Sequence, residues 1–294
     1  MSTSCLASLA GMLCQFRQYG SSSFCDSWEW KLDPYSVYDR HQPVDLYTEN
    51  ADVAIDEETA LYEQQDGFFL RRISRTKEGG TLWQYLRKKN LNVLLSYHVS
   101  ADWKRITLLK DHSSSCGQMA FEYLAHLLTA CMLAHGLLTF HGVLMEYEGN
   151  GIIISAASGT GKTTHARLWR DLRRALIING DRAVCAKTAE GWTGYGLPWS
   201  GTSGEQINRS VVIRALVVLR RGETNEAHRI SALEAFHQVF AHVLYPSWNK
   251  ALTEKMMDLL ESFLRDVPIF LLSCRPDAES VDVLHAALDE VLHE

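Results

Sequence analysis

Residues 155–169 read SAASGTGKTTHARLW, and the choice of fold turns on them. A short apolar run, GIIIS (151–155), comes immediately before, and a segment with helical spacing follows. The phosphate-loop pattern G-x-x-x-x-G-K-[ST] is met from Ala156 to Thr163, with alanine at the first glycine position. Gly159 and Gly161 allow the backbone to curl so that successive N–H groups point inward at anionic oxygens. The following helix adds its free N–H groups and its positive end. Ser158, Gly159, Thr160, Gly161, Lys162, Thr163 and Thr164 are therefore the expected cofactor-binding residues. Lys162 supplies a point charge to the terminal phosphates of ATP, and the Thr163 hydroxyl supplies a ligand to Mg2+. The simpler alternative is a glycine-rich turn that only opens a helix. Strand before, Gly-Lys-Thr at the end and helix after together favour the nucleotide.

Upstream, GVLMEYE (142–148) and GIIIS flank Gly149-Asn150-Gly151, a short-hairpin signal. With a Gly149-Asn150 turn His141 faces Ser158, and with an Asn150-Gly151 turn it faces Thr160. Either register places His141 beside the loop as a candidate catalytic group, with a core histidine at a strand start as the alternative. Downstream, ALIIN (175–179) is an apolar strand that ends close to Asp181. An acid there suits Mg2+ or its water, so Thr163 and Asp181 are the expected metal ligands; Asp181 is also the second catalytic candidate, with a turn Asp stabilising the Gly180 bend as its alternative. The glycine-rich stretch GYGLPWSGTSGEQINRS (194–210) holds Trp199, Ser200, Thr202, Glu205 and Arg209. Arg209 is a third catalytic candidate, as neutraliser of a transferring phosphoryl group. Glu205 is a second candidate for the metal, and Trp199 a cover for an apolar acceptor segment. Each has an ordinary surface-loop role as its alternative. Arg167, Arg170 and Arg174 share one side of the loop helix, a solvated face or a meeting place for an acidic acceptor.

The chain has 294 residues, 46% of them apolar, enough for one large or two moderate cores. A net charge of −6 gives no reason to expect nucleic acid as a partner. Seven cysteines without a C-x-x-C or a zinc spacing read as reduced, mostly buried thiols of a cytoplasmic protein. The start, MSTSCLASLAGMLC, lacks the basic residues of a secretion signal. The run MAFEYLAHLLTACMLAHGLLTF (119–140) is interrupted by Glu122, His126 and His135, so it reads as a buried helix and no membrane is expected.

Residues 1–30 read as a loose arm or an edge element. Short β-like runs follow at 52–55, 67–74, 93–99 and 105–110, with TLWQYLRKKN (81–90) as a short helix between them. They predict a β-rich N-terminal domain over 1–112, with a junction at DHSSSCG (111–117). The second domain, 113–294, predicts helices over 117–136, 162–173, 231–245, 250–265 and 278–292. Strands are expected at 183–187, 192–196, 213–221 and 268–273, beside those already named. Ser231 with Glu234 fits a capping box, and Asp277 a final N-cap. The whole is α/β.

The stretch HGVLMEYEGNGIIISAASGTGKTT (141–164) resembles the catalytic core of HPr kinase/phosphorylase, and SGTGKTT resembles the loop of phosphoenolpyruvate carboxykinase. The resemblance covers roughly 117–290 and is specific over 141–181. It implies a P-loop kinase domain of that type and an ATP-dependent phosphotransferase. GLPWSGT and VPIFLLSCRPDAESV look like kinase-like proteins found beside peptide-modification genes, which implies a serine hydroxyl of a peptide or protein as acceptor. His141 matches the family histidine near the transfer site, Lys162 and Thr163 the phosphate and Mg2+ ligands, and Asp181 the second of two adjacent acids. The first acid is Gly180 here, so one acid covers metal and proton, or His141 takes the proton. GWTGYG (191–196) lacks the Glu and Arg of the family's second motif, so the reverse phosphorylase reaction and HPr itself are not expected. Alternatives are a small hydroxylated metabolite as acceptor and a nucleotide-binding scaffold with weak catalysis. A homo-oligomer is a further form the resemblance allows.

Overall fold

The computed structural model describes residues 3–18, 29–39, 41–67, 69–109 and 117–293. Cys25, Cys116 and residues 111–116 of the expected junction lie outside them. The chain forms two units, Met1–Ala134 and His135–Glu294. Each is built on an eight-stranded sheet, so the architecture is mixed α/β.

The first unit contains β1 (Thr3–Leu9), β2 (Met12–Gln18), β3 (Leu46–Ala51), β4 (Glu57–Asp66), β5 (Phe69–Thr76), β6 (Thr81–Arg87), β7 (Val93–Val99) and β8 (Arg105–Leu109). A short α1 (Glu29–Leu32) and a long α2 (Gly117–Ala134) accompany them. The strand order is β1-β2-β3-β8-β7-β6-β5-β4. Residues 3–18 thus form a regular hairpin, and the chain turns at Ala10-Gly11, both with left-handed φ. The expected helix at 81–90 is strand β6. Its Trp83 and Tyr85 pair with Ile73 and Arg71 on one side and with Tyr97 and Leu95 on the other. Aromatic and β-branched cross-strand neighbours outweigh local helix propensity there. The expected strand at 52–55 is instead the link between β3 and β4. Tyr97 Oη donates to Ala120 O (2.6 Å), and Tyr85 Oη lies 3.2 Å from His126 Nδ1. By this packing α2 belongs to the first unit, whereas a boundary at 112/113 assigns it to the second.

The second unit runs β9 (Leu138–Tyr147), β10 (Asn150–Ser155), α3 (Lys162–Arg173), β11 (Leu176–Asn179), β12 (Arg182–Thr188), β13 (Gly191–Tyr195) and β14 (Ser210–Arg221). It continues through β15 (Glu226–Arg229), α4 (Ala232–Phe240), α5 (Lys250–Asp266), β16 (Ile269–Cys274) and α6 (Ala278–Leu292). Its pairings close a ring. β9 joins β10 and β12, β12 joins β13, and β13 and β10 both join β14.

The hairpin register differs from both expected ones, because Gly142 faces Ser155. The turn is Glu148-Gly149, with φ of 50° and 81°. Asn150 already belongs to β10. Gly151 is a close-approach glycine and not a turn residue: a Cβ there would lie 2.8 Å from Val211 Cγ1 and from Val212 O. The ladder therefore carries His141 towards Ala156 instead of Ser158 or Thr160.

Strands β10, β14 and β16 are parallel. Their carboxyl ends share an edge, the usual place for a ligand crevice in α/β sheets. Ile152, Ile154, Val217, Leu219, Phe270 and Leu272 pack against Ala166 and Trp169 of α3 and against Val281, Leu284 and Leu288 of α6. Burying each of the larger of these side chains stabilises by roughly 1.5–3 kcal/mol. Phe263 of α5 packs on Phe140 and Trp192, with ring centroids 4.9 and 5.2 Å away. Ser231 and Asp277 cap α4 and α6 by accepting from Glu234 N and Ser280 N. α4 stops at Phe240, short of the expected 245, because the next residues lie along β9: His141 N donates to His242 O (2.8 Å) and Leu244 N to Thr139 O (2.8 Å). No helix among the described residues is long and apolar enough to cross a membrane.

Candidate active site

β10 ends at Ser155, and the loop that follows lies between the ends of β9 and β14. Ser155 Oγ donates to His141 O (2.9 Å), which ties the loop's root to β9. The loop closes on Gly161, with φ of 119° and no side-chain cap at the start of α3. A helix start without a capping side chain keeps its first amides for an anion. Lys162 is only 8% exposed. Its Nζ donates to Ala156 O (2.9 Å) and Ala157 O (3.4 Å) and lies 3.1 Å from His141 Nε2. Burial lowers the pKa of the ammonium, and Asp181 partly restores it.

Across the imidazole, His141 Nδ1 lies 3.6 Å from Asp181 Oδ1. Burial and then the Lys162 charge lower the His141 pKa, while Asp181 opposes them. The ring is therefore neutral at neutral pH, and its Nε2 faces the loop lysine. Asp181 itself is held through the backbone. Asn179, fully buried, accepts from Asp181 N (3.0 Å) and Arg182 N (2.9 Å) with Oδ1, and donates to Leu197 O and Trp199 O with Nδ2. Gly142 N donates to Asp181 O (3.0 Å). Arg182 Nε lies 3.7 Å from the carboxylate.

Two glycines shape this corner. A Cβ on Gly201 would lie 2.6 Å from Asp181 Cγ. A Cβ on Gly180 would lie 2.1 Å from Ser203 Oγ, so the place of a second acid is filled by the 197–209 loop. Among the described residues, no group of three or more His, Cys, Asp and Glu side chains converges as a metal site. The Thr163 hydroxyl and the Asp181 carboxylate suit Mg2+ held largely by phosphate oxygens and water.

Other candidates lie elsewhere. Arg209 pairs with Glu146, which faces Gly151 near the start of β10, while the loop leaves from its end. That geometry holds its guanidinium near the start of β10, away from the loop where the transferring phosphoryl group was expected. Glu205, the second metal candidate, binds Arg167 (3.2 Å) and Arg170 (2.9 Å) with its carboxylate. Trp199 is 2% exposed and belongs to the core instead of an acceptor surface. Thr163 is half-buried and Thr164 exposed in the first turn of α3. Ser158, Gly159 and Thr160 line a cleft of about 520 Å³ with Arg220, Arg221, Gln238 and His242. Those last four were not singled out from sequence. The available signal was the pair of arginines ending IRALVVLRR, but its value depends on β14 running parallel to β10.

No protein-family model matches this chain, and no curated protein matches it. Among solved structures, the chain is similar to the Hpr(Ser) kinase/phosphatase from Coxiella burnetii, with 10% identity and a TM-score of 0.32. That likeness covers 53% of this chain and 99% of the other.

Proposed function

We propose that this chain is a Mg2+- and ATP-dependent phosphotransferase that acts on a hydroxyl, a serine of a peptide or protein first among acceptors. The observation that carries the reading is the row of Lys162, His141 and Asp181 at the root of the loop, with 3.1 and 3.6 Å between successive members. A glycine-rich turn that merely opens a helix has no need to bury an ammonium against a neutral imidazole and a carboxylate.

In this reading the loop amides and Lys162 hold the terminal phosphates, and Thr163 and Asp181 hold Mg2+. The metal ion, when bound, spreads the charge that develops on the phosphates. The acceptor oxygen attacks the terminal phosphorus, and the bond to the bridging oxygen breaks. The hydroxyl proton passes to His141 Nε2 or to Asp181. His141 suits the task once Lys162 turns to phosphate, since the contact that occupies Nε2 is then released.

Two observations keep other readings in view. A cleft of about 520 Å³ also fits a small hydroxylated metabolite. The blocked position beside Gly180 leaves Asp181 without an acidic neighbour, which favours a nucleotide-binding scaffold with weak catalysis. Calorimetric titration with Mg-ATP tests the common ground. Lys162→Ala is expected to weaken binding by about ten- to a hundredfold, the worth of a charged contact. Equal affinity for wild type and variant overturns the loop assignment. Release of ADP with a serine peptide, with free serine and with neither separates the three readings.

A further inference from the structure

The end of β14 has no part in the mechanism above, yet it borders the loop. Val218 faces Ser155 in the parallel ladder, and β14 continues to Arg221. Arg221 Nη2 donates to Gly159 O (2.6 Å) and its Nε to Thr160 O (3.5 Å). Arg220 donates to Gln238 Oε1 on α4. Both arginines, with Gln238 and His242, line the same cleft as the loop.

Arg167, Arg170, Arg173, Arg209 and Arg275 of this unit each have a carboxylate partner. Arg220 and Arg221 have none within 4.0 Å among the described residues. Guanidinium groups left without carboxylates in a cleft attract oxyanions and bind them bidentately. His242 beside them is held neutral by burial and then by Lys162, so it adds a hydrogen-bonding ring without a fixed charge.

We infer that Arg220 and Arg221, with Gln238 and His242, form a second oxyanion subsite that recognises a carboxylate or phosphate carried by the acceptor near its hydroxyl. The inference rests on the nucleotide reading of the loop. Lys162, the loop amides and the start of α3 already serve the nucleotide phosphates, and the cluster reaches from Arg221, on the loop carbonyls, to His242, whose O accepts from His141 N (2.8 Å). The anionic group belongs either to a free hydroxy acid or to an acidic residue next to serine in a peptide.

The test uses the full chain saturated with Mg2+ and a non-hydrolysable ATP analogue, titrated with inorganic phosphate. Wild type is expected to bind phosphate at a single site. Arg220→Gln is expected to weaken that binding at least about tenfold and to leave analogue affinity unchanged, since Arg220 bonds to Gln238 of α4 while Arg221 holds the loop carbonyls. Arg220→Lys, which keeps the charge, is expected to retain most of it. In turnover, free serine and a serine peptide with a neighbouring aspartate are compared with a serine amide and an alanine-flanked peptide, which separates the two sources. Phosphate binding that ignores Arg220→Gln overturns the subsite. Equal loss of analogue affinity in Arg220→Gln assigns the arginines to the nucleotide and overturns it too. Failure of wild type to bind the analogue removes the nucleotide reading itself, a different result from either.

Discussion

Lys162 Nζ and His141 Nε2 lie 3.1 Å apart, and each group holds the other in a resting form. The lysine leans on the ring and on two loop carbonyls, and the ring's basic nitrogen is occupied. A phosphate drawn into the loop competes for the same ammonium. On the proposed reading, one side chain would couple binding of the donor to release of the base.

The first prediction assigns the proton. His141→Ala and Asp181→Asn are both expected to slow transfer, by about 10²–10⁴-fold for loss of a general base. If His141 is the base, Asp181→Asn mainly raises the Mg2+ requirement, and high metal restores part of the rate. Initial rates across a Mg2+ series decide it. A rate in Asp181→Asn that does not respond to metal makes Asp181 the base.

The Gly201 prediction concerns packing. A methyl at Gly201 has no room beside Asp181 Cγ, and its φ of 55° is left-handed. Gly201→Ala is expected to displace the carboxylate and reduce transfer to the level of Asp181→Asn. Gly204→Ala is the control, because φ is 69° there but a Cβ meets nothing within 4 Å. It is expected to cost about 1 kcal/mol in stability and little activity. Equal rates for the two variants would refute the placement of Gly201.

Stability should depend on pH through His165. This histidine of α3 is 2% exposed, and among the described residues neither ring nitrogen has a well-formed hydrogen bond. Burial lowers its pKa from 6.5 to about 4, and the Ser280 backbone offsets only a part. The unfolded chain takes up the proton first, so the stability of the neutral ring is complete above 6.5 and is lost as pH falls towards 4. The full effect is about 3 kcal/mol. Urea unfolding across this range should show the slope in wild type and a flatter profile in His165→Leu. An unchanged slope in the variant assigns the acid sensitivity to other groups.

Arg209 provides a negative control. Its guanidinium is bound to Glu146, away from the loop's end of β10. Arg209→Ala is expected to leave nucleotide affinity and turnover within about twofold of wild type, as for an exposed ion pair remote from the chemistry. A loss of turnover with intact affinity would restore Arg209 to the site.

Much of the centre was legible because the signals are local. The strand, the Gly-Lys-Thr turn and the helix are contiguous, and Asp181 follows within a few residues of the next strand. His141 was readable only through a hairpin, and the exact pairing was not, because Gly151 could be taken for a turn residue until β14 was known to press against it. The β6 strand and Arg220 with Arg221 depend on partners distant in sequence. So do Gly201 and Trp199, whose roles come from what packs on them. Long-range pairing leaves no periodic trace in the segment it acts on, and a polar residue at a strand end carries no mark of which edge it will share.

The most direct measurement is transfer of the terminal phosphate of Mg-ATP to a serine peptide, followed by mass spectrometry for wild type and Lys162→Ala. The account predicts phosphoserine with wild type and at least about a hundredfold less with the variant, both proteins melting at the same temperature. Equal yields from the two proteins, or no transfer to peptide or free serine while wild type binds Mg-ATP, would contradict it.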